Sequence, residues 1–447
     1  MPDNLSILNQ PTIELDKAVW SVIAIGHKQD LLFSRNINTY GEFLLEHNIR
    51  FVFLHSPETE LSFYILDESN IVRAVVYQND DTLTDGQDLL DIITSLQGAQ
   101  TQSPLRLTTN PICPNSKKIV GEYILGSPNN VDPTLLDFVV YAFALINSDG
   151  TFSVYSKRYL KELVELKNYN PNLKVTLAIG GWAADGFSDA ALTAESRFKF
   201  AREAQKWVNE YGLDGIDLDW EYPGSSAAGI KSRKEDTANF TLLVEALRIV
   251  LGKNKLITVA GIADSSYIKN VEIAKIAKFI DYFNVMTYDF TAGNSGEKGH
   301  KHQGNLYSSE LSLSNISVDL YVKNLINAGM PASKIIVGVA FYGRQGSSIT
   351  KSFDEIRREY LNKNGYTVKF DNDAKSTYIA DPDGNFFLSF ENEFSIYYKG
   401  QYVIDNCLAG LFSWQSAFDQ ANILSSAINL AVNNPPELEK VLQSYYA

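Results

Sequence analysis

Apolar, β-branched runs recur along most of the chain, separated by longer stretches of helical period. From residue 119 onward eight of them follow one another, at 119–125, 138–146, 174–179, 215–220, 256–262, 282–288, 335–341 and 408–414. Near-continuous apolar strands are expected where helices cover both faces of a parallel sheet. Helical patterns lie between most of these runs; in 197–211, Phe198, Ala201, Ala204 and Val208 fall on one face. Eight strand–helix units in about 300 residues predict a closed (β/α)8 barrel. A doubly wound open sheet is the alternative for this rhythm, but no Gly-x-Gly-x-x-Gly follows the first strand.

The stretch between Gly343 and Cys407 is too long for one loop and one helix. Segments 367–370, 377–379 and 386–390 read as strands, and Asp381-Pro382-Asp383-Gly384 as a hairpin turn. A small α+β insertion at 345–400, between strands seven and eight, accounts for them and adds a wall to the active-site end of a barrel. Upstream, Leu96 to Lys118 gathers Gly, Gln, Ser, Pro and Asn without a sustained period. It predicts a linker at 101–118 after an N-terminal domain at 1–100. In that domain 50–55, 61–66 and 71–77 read as strands, and 40–49 and 85–96 as amphipathic helices. The expected architecture is thus α/β: a TIM barrel over 119–447, preceded by a small α+β domain with no chemical signature of its own.

Composition narrows the function classes. An apolar share of 45% with 12% aromatics is that of a globular protein. With 39 basic and 53 acidic residues the net charge is 39 − 53 = −14, and no basic stripe interrupts it. A nucleic-acid partner is therefore not expected, and an anionic membrane surface is disfavoured. No apolar run approaches the roughly 18–20 residues of a membrane span. Met1 to Gln10 lacks the basic and apolar regions of a signal peptide. Cys113 and Cys407 are too few for a disulfide framework and fit no metal motif, so incidental thiols are expected.

The chemistry concentrates in the fourth strand, Asp214-Gly215-Ile216-Asp217-Leu218-Asp219-Trp220-Glu221. Side chains alternate along a strand, so Asp217, Asp219 and Glu221 share one face and Ile216, Leu218 and Trp220 the other. The first set forms a file of carboxylates toward the barrel axis, ending at the C-terminal mouth. Three like charges so close titrate together, with at least one proton held to higher pH. Such a set offers an acid for a leaving group and an anion for developing positive charge, the needs of glycosidic-bond cleavage. A hard-cation site and a purely structural set of paired acids are the competing readings. However, ligands two residues apart on one strand do not enclose an ion. Asp214 faces the other way and reads as structural. His300 and His302 form a His-x-His without a third nearby candidate ligand, and Asn239-Phe240-Thr241 is a glycosylation sequon.

The octet from Asp214 to Glu221 resembles the Asp-Gly-x-Asp-x-Asp-x-Glu signature of family 18 glycoside hydrolases, the chitinases and related enzymes. The resemblance continues in Tyr141-Ala142-Phe143-Ala144, in Ala178-Ile179-Gly180-Gly181-Trp182, and in Met286-Thr287-Tyr288-Asp289 with the loop from Gly299-His300 to Leu306-Tyr307. It extends to Phe341-Tyr342-Gly343-Arg344 and Phe412-Ser413-Trp414. It implies a retaining mechanism in which the substrate's own N-acetyl group is the nucleophile. By matching position, Glu221 is the general acid, Asp219 the partner of the acetamide N–H, Asp217 its proton-sharing neighbour and Tyr288 the anchor of the acetamide carbonyl. Phe143, Trp182 and Trp414 are the implied stacking platforms, with Met286, Asp289, Tyr342 and Arg344 as further substrate contacts. Two departures stand out. Ala178 replaces a common serine beneath Asp217. Strand one reads Gly121-Glu122-Tyr123, so either Tyr123 fills an aromatic role or Glu122 joins the carboxylate file.

The implied substrate is chitin or another N-acetylglucosamine-containing oligosaccharide, cleaved at β-1,4 bonds without a cofactor or metal. An endo-β-N-acetylglucosaminidase acting on N-glycans, or a chitin-binding lectin that has lost catalysis, are the alternatives. A monomer is expected. Location outside the cell by a non-classical route, or else in the cytoplasm, follows from setting that substrate against the absence of a signal peptide.

Overall fold

The computed structural model describes residues 20–26, 49–55, 62–66, 72–77 and 117–444. The chain divides into two units, Met1–Ile112 and Cys113–Ala447. In the first, strands β1 (Trp20–Gly26), β2 (Ile49–His55), β3 (Ser62–Leu66) and β4 (Val72–Tyr77) form one sheet in the order β2-β1-β3-β4. The β1–β2 pair is parallel and the other two pairs are antiparallel. β2 to β4 coincide with the three expected strand segments. β1 is an additional strand, and the helices expected at 40–49 and 85–96 lie outside the described residues.

The second unit is an eight-stranded parallel barrel. Its staves are β5 (Ile119–Leu125), β6 (Phe138–Ile146), β8 (Lys174–Gly180), β9 (Gly215–Asp219), β10 (Leu256–Gly261), β11 (Tyr282–Val285), β12 (Ile335–Ala340) and β18 (Gly410–Trp414). A short β7 (Phe152–Val154) pairs antiparallel on β6. Pairing of β18 with β5 closes the barrel, so the open-sheet alternative falls. Alternation divides the packing into two layers. Ile216, Leu218 and Trp220 belong to the outer core between sheet and helices. Tyr123, Phe138, Val140, Ala178, Met286 and Phe412 pack within the barrel. Gly121 makes room there: a Cβ on it would stand 2.1 Å from the Phe138 ring.

The helices follow local rules. Ala194–Tyr211 starts at a capping box between Thr193 and Ser196 and ends where Gly212 turns left-handed at φ 66°. Its buried stripe is Phe200, Ala201, Ala204, Trp207, Val208 and Tyr211. Phe198, expected in that stripe, is only half-buried, because the stripe centres on Ala204 and Trp207 rather than on 198.

The insertion forms a five-stranded sheet in the order β14-β13-β17-β16-β15. Its strands are β13 (Tyr342–Gln345), β14 (Ile349–Ser352), β15 (Thr367–Asp371), β16 (Ser376–Ala380) and β17 (Phe386–Phe390). The β16–β17 turn is tied by Asp381 Oδ1, which accepts the N–H groups of Asp383 at 3.0 Å and Asn385 at 2.8 Å. The sheet thus begins at Tyr342 and ends at Phe390, and Glu393–Asp405 is a helix packed on the helix Ile423–Asn433.

Three lesser expectations resolve here. Cys407 is disulfide-bonded rather than an incidental thiol; sequence separation carries no information about what a barrel brings together. Asn239 of the sequon is buried in the helix Asp236–Leu251. His302 is buried between Tyr378 and Phe386 with Nε2 3.1 Å from Asp371 Oδ2. Among the described residues no group of three or more His, Cys, Asp or Glu could hold a metal ion, and no helix is long and apolar enough to cross a membrane.

Candidate functional site

The C-terminal ends of the strands surround a cavity of about 640 Å³, the position a barrel reserves for ligands. Its floor and walls are built by residues at strand ends: Phe143 from β6, Trp182 after β8, Asp219 at the end of β9 and Glu221 just after it, Met286, Tyr288 and Asp289 after β11, and Trp414 from β18. Arg344 reaches it from β13 of the insertion. Nine of the eleven expected site residues therefore converge on one cavity. The two that do not line it, Asp217 and Tyr342, stand directly behind those that do.

Asp217 is fully buried and held by three donors. The Tyr123 hydroxyl donates to Oδ2 at 3.0 Å, while Asn284 Nδ2, at 3.3 Å, and the Thr258 hydroxyl both donate to Oδ1. Burial pushes Asp217 up to about 6, against the lowering effect of these donors. Ala178, its register partner on β8, has no hydroxyl to add, so the support comes from β5, β10 and β11 instead. Asp219 is also buried, and its Oδ1 has no hydrogen-bond partner. Burial raises its pKa far above the usual carboxylate range, and the charges of Glu221 and Asp217 add to the rise. Burial pushes Glu221 up to about 7; the Tyr222 hydroxyl works against this and the Asp289 charge adds to it. Glu221 therefore holds a proton near neutrality, next to a carboxyl whose open oxygen faces no protein donor.

The backbone around Asp219 is tightly shaped. The Gly181 N–H donates to the Asp219 carbonyl at 2.8 Å. Gly180 has φ +114°, and a Cβ there would stand 2.1 Å from that carbonyl oxygen. Lining the same cavity, Phe143 and Trp414 stack with ring centroids 5.6 Å apart and 23° between planes. Tyr123 lies 5.9 Å from Trp414. An aromatic floor beside an acid pair fits the apolar face of a sugar. Opposite, Asp289 adopts φ +60° and accepts from the Tyr342 hydroxyl at 2.7 Å and from Arg344 Nε at 2.6 Å. Tyr342 thus spends its hydroxyl on Asp289, while Asp289 and Arg344 face the cavity.

Glu122 lies outside the carboxylate file. Tyr123 points into the barrel, so its neighbour Glu122 points outward, where it is 1% exposed. Its Oε2 accepts from Ser413 Oγ at 3.2 Å and Ser425 Oγ at 2.6 Å, and Oε1 has no partner. Burial pushes it up to about 7, with nearby Asp419 adding to the rise. That value lies above the unfolded one of about 4.3, so the folded protein keeps a proton the unfolded chain has released. Its contribution to stability therefore declines as pH rises through this window. Glu122→Gln keeps both serine contacts and removes the titration. It should raise the thermal midpoint at pH 8, by about 1–3 kcal/mol of stability, and leave it unchanged near pH 4. Thermal unfolding followed by circular dichroism at both pH values checks this.

Asp214 accepts the Val175 N–H at 2.8 Å and pairs with Lys167 at 2.5 Å, away from the cavity. Thr258 and Asn284, the other donors to Asp217, were absent from the expected site. Both are polar at inward positions of otherwise apolar strands, a signal the strand patterns did contain. Tyr321 lines the cavity from the helix Val318–Asn327, with no local signal.

Comparison with known proteins agrees with this geometry. Glycosyl hydrolases family 18 matches residues 115–419. The chain is 34% identical to chitinase A1 of Niallia circulans over 60% of its own length, and spans 44% of that enzyme. It is 53% identical to the chitinase domain of the spore coat protein CotE from Clostridium difficile, over 77% of this chain and 99% of that domain, with a TM-score of 0.56. A family 18 N-acetylglucosaminidase from Paenibacillus barengoltzii shares 33% identity over 70% of this chain and 99% of its own, with a TM-score of 0.65. The acid file on β9, its aromatic floor and the match over most of the barrel lead to one placement: the chain belongs to the glycosyl hydrolases of family 18, as a chitinase-like member.

Proposed function

We propose that this protein cleaves β-1,4 bonds between N-acetylglucosamine units of chitin or chito-oligosaccharides, with retention of configuration. The observation that carries this reading is Asp219: a buried carboxyl with an unpartnered oxygen, between Asp217 and Glu221 in one file and beside an aromatic floor. In the first step Glu221 gives its proton to the glycosidic oxygen as the bond from C1 breaks. The substrate's acetamide carbonyl oxygen closes on C1, forming an oxazolinium ion, while Asp219 accepts from the acetamide N–H and balances its charge. Tyr288 holds that carbonyl in line, an orientation worth several kcal/mol in comparable cases. Water then attacks C1, Glu221 takes its proton, and the acetamide is restored.

The aromatic floor and the insertion wall favour a linear chain of N-acetylglucosamine over a branched N-glycan, and the similarity to chitinases points the same way. Wild-type protein should turn over a fluorogenic chitobioside and chitotrioside and leave an N-glycoprotein intact. Cleavage of the glycoprotein alone would move the assignment to an endo-β-N-acetylglucosaminidase. Binding of chitin oligomers with no turnover of either substrate would make the protein a lectin.

A further inference from the structure

Two loops contribute to the rim of the catalytic cavity. One follows β8 and carries Trp182; the other follows β9 and opens with Tyr222, and their rings meet edge to face at 6.4 Å. Trp182 is 62% exposed, so ring packing alone leaves it loosely held. Farther along, the same two loops are joined by charge. Lys231 Nζ donates to both oxygens of Asp189, at 2.8 and 3.0 Å, and Arg233 Nη2 donates to Oδ1. Arg233 Nη1 donates to Ser188 Oγ at 2.7 Å, and Ser188 donates to the buried Asp236 at 2.8 Å. The other oxygen of Asp236 accepts the Arg233 N–H at 2.7 Å. One end of this staple is thus fixed in the core, and the other grips a half-exposed carboxylate.

None of these charged groups lines the catalytic cavity. Asp189 instead lines an open hollow of about 830 Å³ that shares Phe143 and Trp182 with it. A substrate longer than the cavity must cross the Trp182 rim to enter this hollow, whereas a short one need not. We propose that Asp189 and Arg233 are positioning residues for long substrates, their ion pair fixing the Trp182 rim on which the distal sugars rest. The proposal depends on the oligosaccharide reading above. Because the pair is partly exposed, salt weakens it.

The test compares a fluorogenic chitotrioside with chitohexaose. Asp189→Ala should raise KM for the hexasaccharide about fivefold, the upper range for an exposed ion pair, and change kcat and KM for the trioside by less than about twofold. The conservative variant Asp189→Glu, which keeps a carboxylate for Lys231 and Arg233, should hold the hexasaccharide KM near wild type. In about 0.5 M sodium chloride the wild-type KM should move toward that of Asp189→Ala, and the variant's should stay. Equal losses on both substrates, or no change on the longer one, would overturn the proposal. If the wild type cleaves neither substrate, the reading of the activity fails instead. Hydrogen exchange then judges the staple separately: amides of 182–190 and 223–235 should exchange faster in Asp189→Ala and stay protected in Asp189→Glu, and unchanged protection in Asp189→Ala overturns it.

Discussion

Glu221→Gln should lower turnover of chitotriose by more than about 10²-fold while leaving the affinity for chito-oligosaccharides within a few-fold of wild type. Glutamine matches glutamate in shape and can still donate a hydrogen bond, but it has no proton to release to a leaving oxygen. The wild-type residue is suited to that release because burial pushes its pKa up to about 7, so a proton is available near neutral pH. The loss should depend on the leaving group. A sugar alkoxide needs the proton fully, whereas an acidic phenol departs with less help, so a fluorogenic aryl glycoside should lose less than the natural oligosaccharide. Measuring both substrates separates a missing proton donor from a damaged cavity. A variant that loses the two activities equally, or loses binding, would remove Glu221 from the role of acid.

The barrel was legible because its strands are buried on both faces and so read as continuous apolar runs, distinct from the amphipathic helices between them. The carboxylate file was legible for the same reason: three acids at spacing two in an apolar strand have no ordinary structural use. Three other kinds of feature were harder to read. Glu122 sits one residue from Tyr123, and only the strand's phase, fixed by closure of β5 against β18, decides that it faces the outer helices. Thr258 and Asn284 are single polar residues whose meaning appears only when register brings them beside Asp217. Phe198 yielded its place to Phe200 and Trp207 because both faces of a helix with several aromatics look apolar, and tertiary packing chooses between them. Tyr321 and the Asp189–Arg233 staple come from helices and loops far apart in sequence, where local patterning carries no information.

Asp219→Asn should reduce kcat/KM for chitotriose by about 10²-fold and move the alkaline limb of the pH profile to lower pH. The two effects have different origins. The rate falls because asparagine places no negative charge beside the developing oxazolinium ion. The limb moves because Glu221 and Asp219 lose their protons as a pair. In the wild type the second proton leaves against the charge exposed by the first, which holds it to higher pH. With asparagine at 219 only one of the two groups ionises, no neighbouring charge resists it, and Glu221 becomes a carboxylate sooner. Activity requires Glu221 protonated, so the descending limb shifts toward acid. The acidic limb, where the pair loses its first proton to reach the active form, should flatten as well, because asparagine at 219 leaves only one group of the pair to ionise. The pH dependence of kcat/KM in the free enzyme reports these values directly. An unchanged alkaline limb with a lowered rate would mean that Asp219 acts on the intermediate without sharing protons with Glu221. A shifted limb with a near-normal rate would mean the reverse, with the acetamide balanced by another group, of which the buried Asp217 is the nearest in the file.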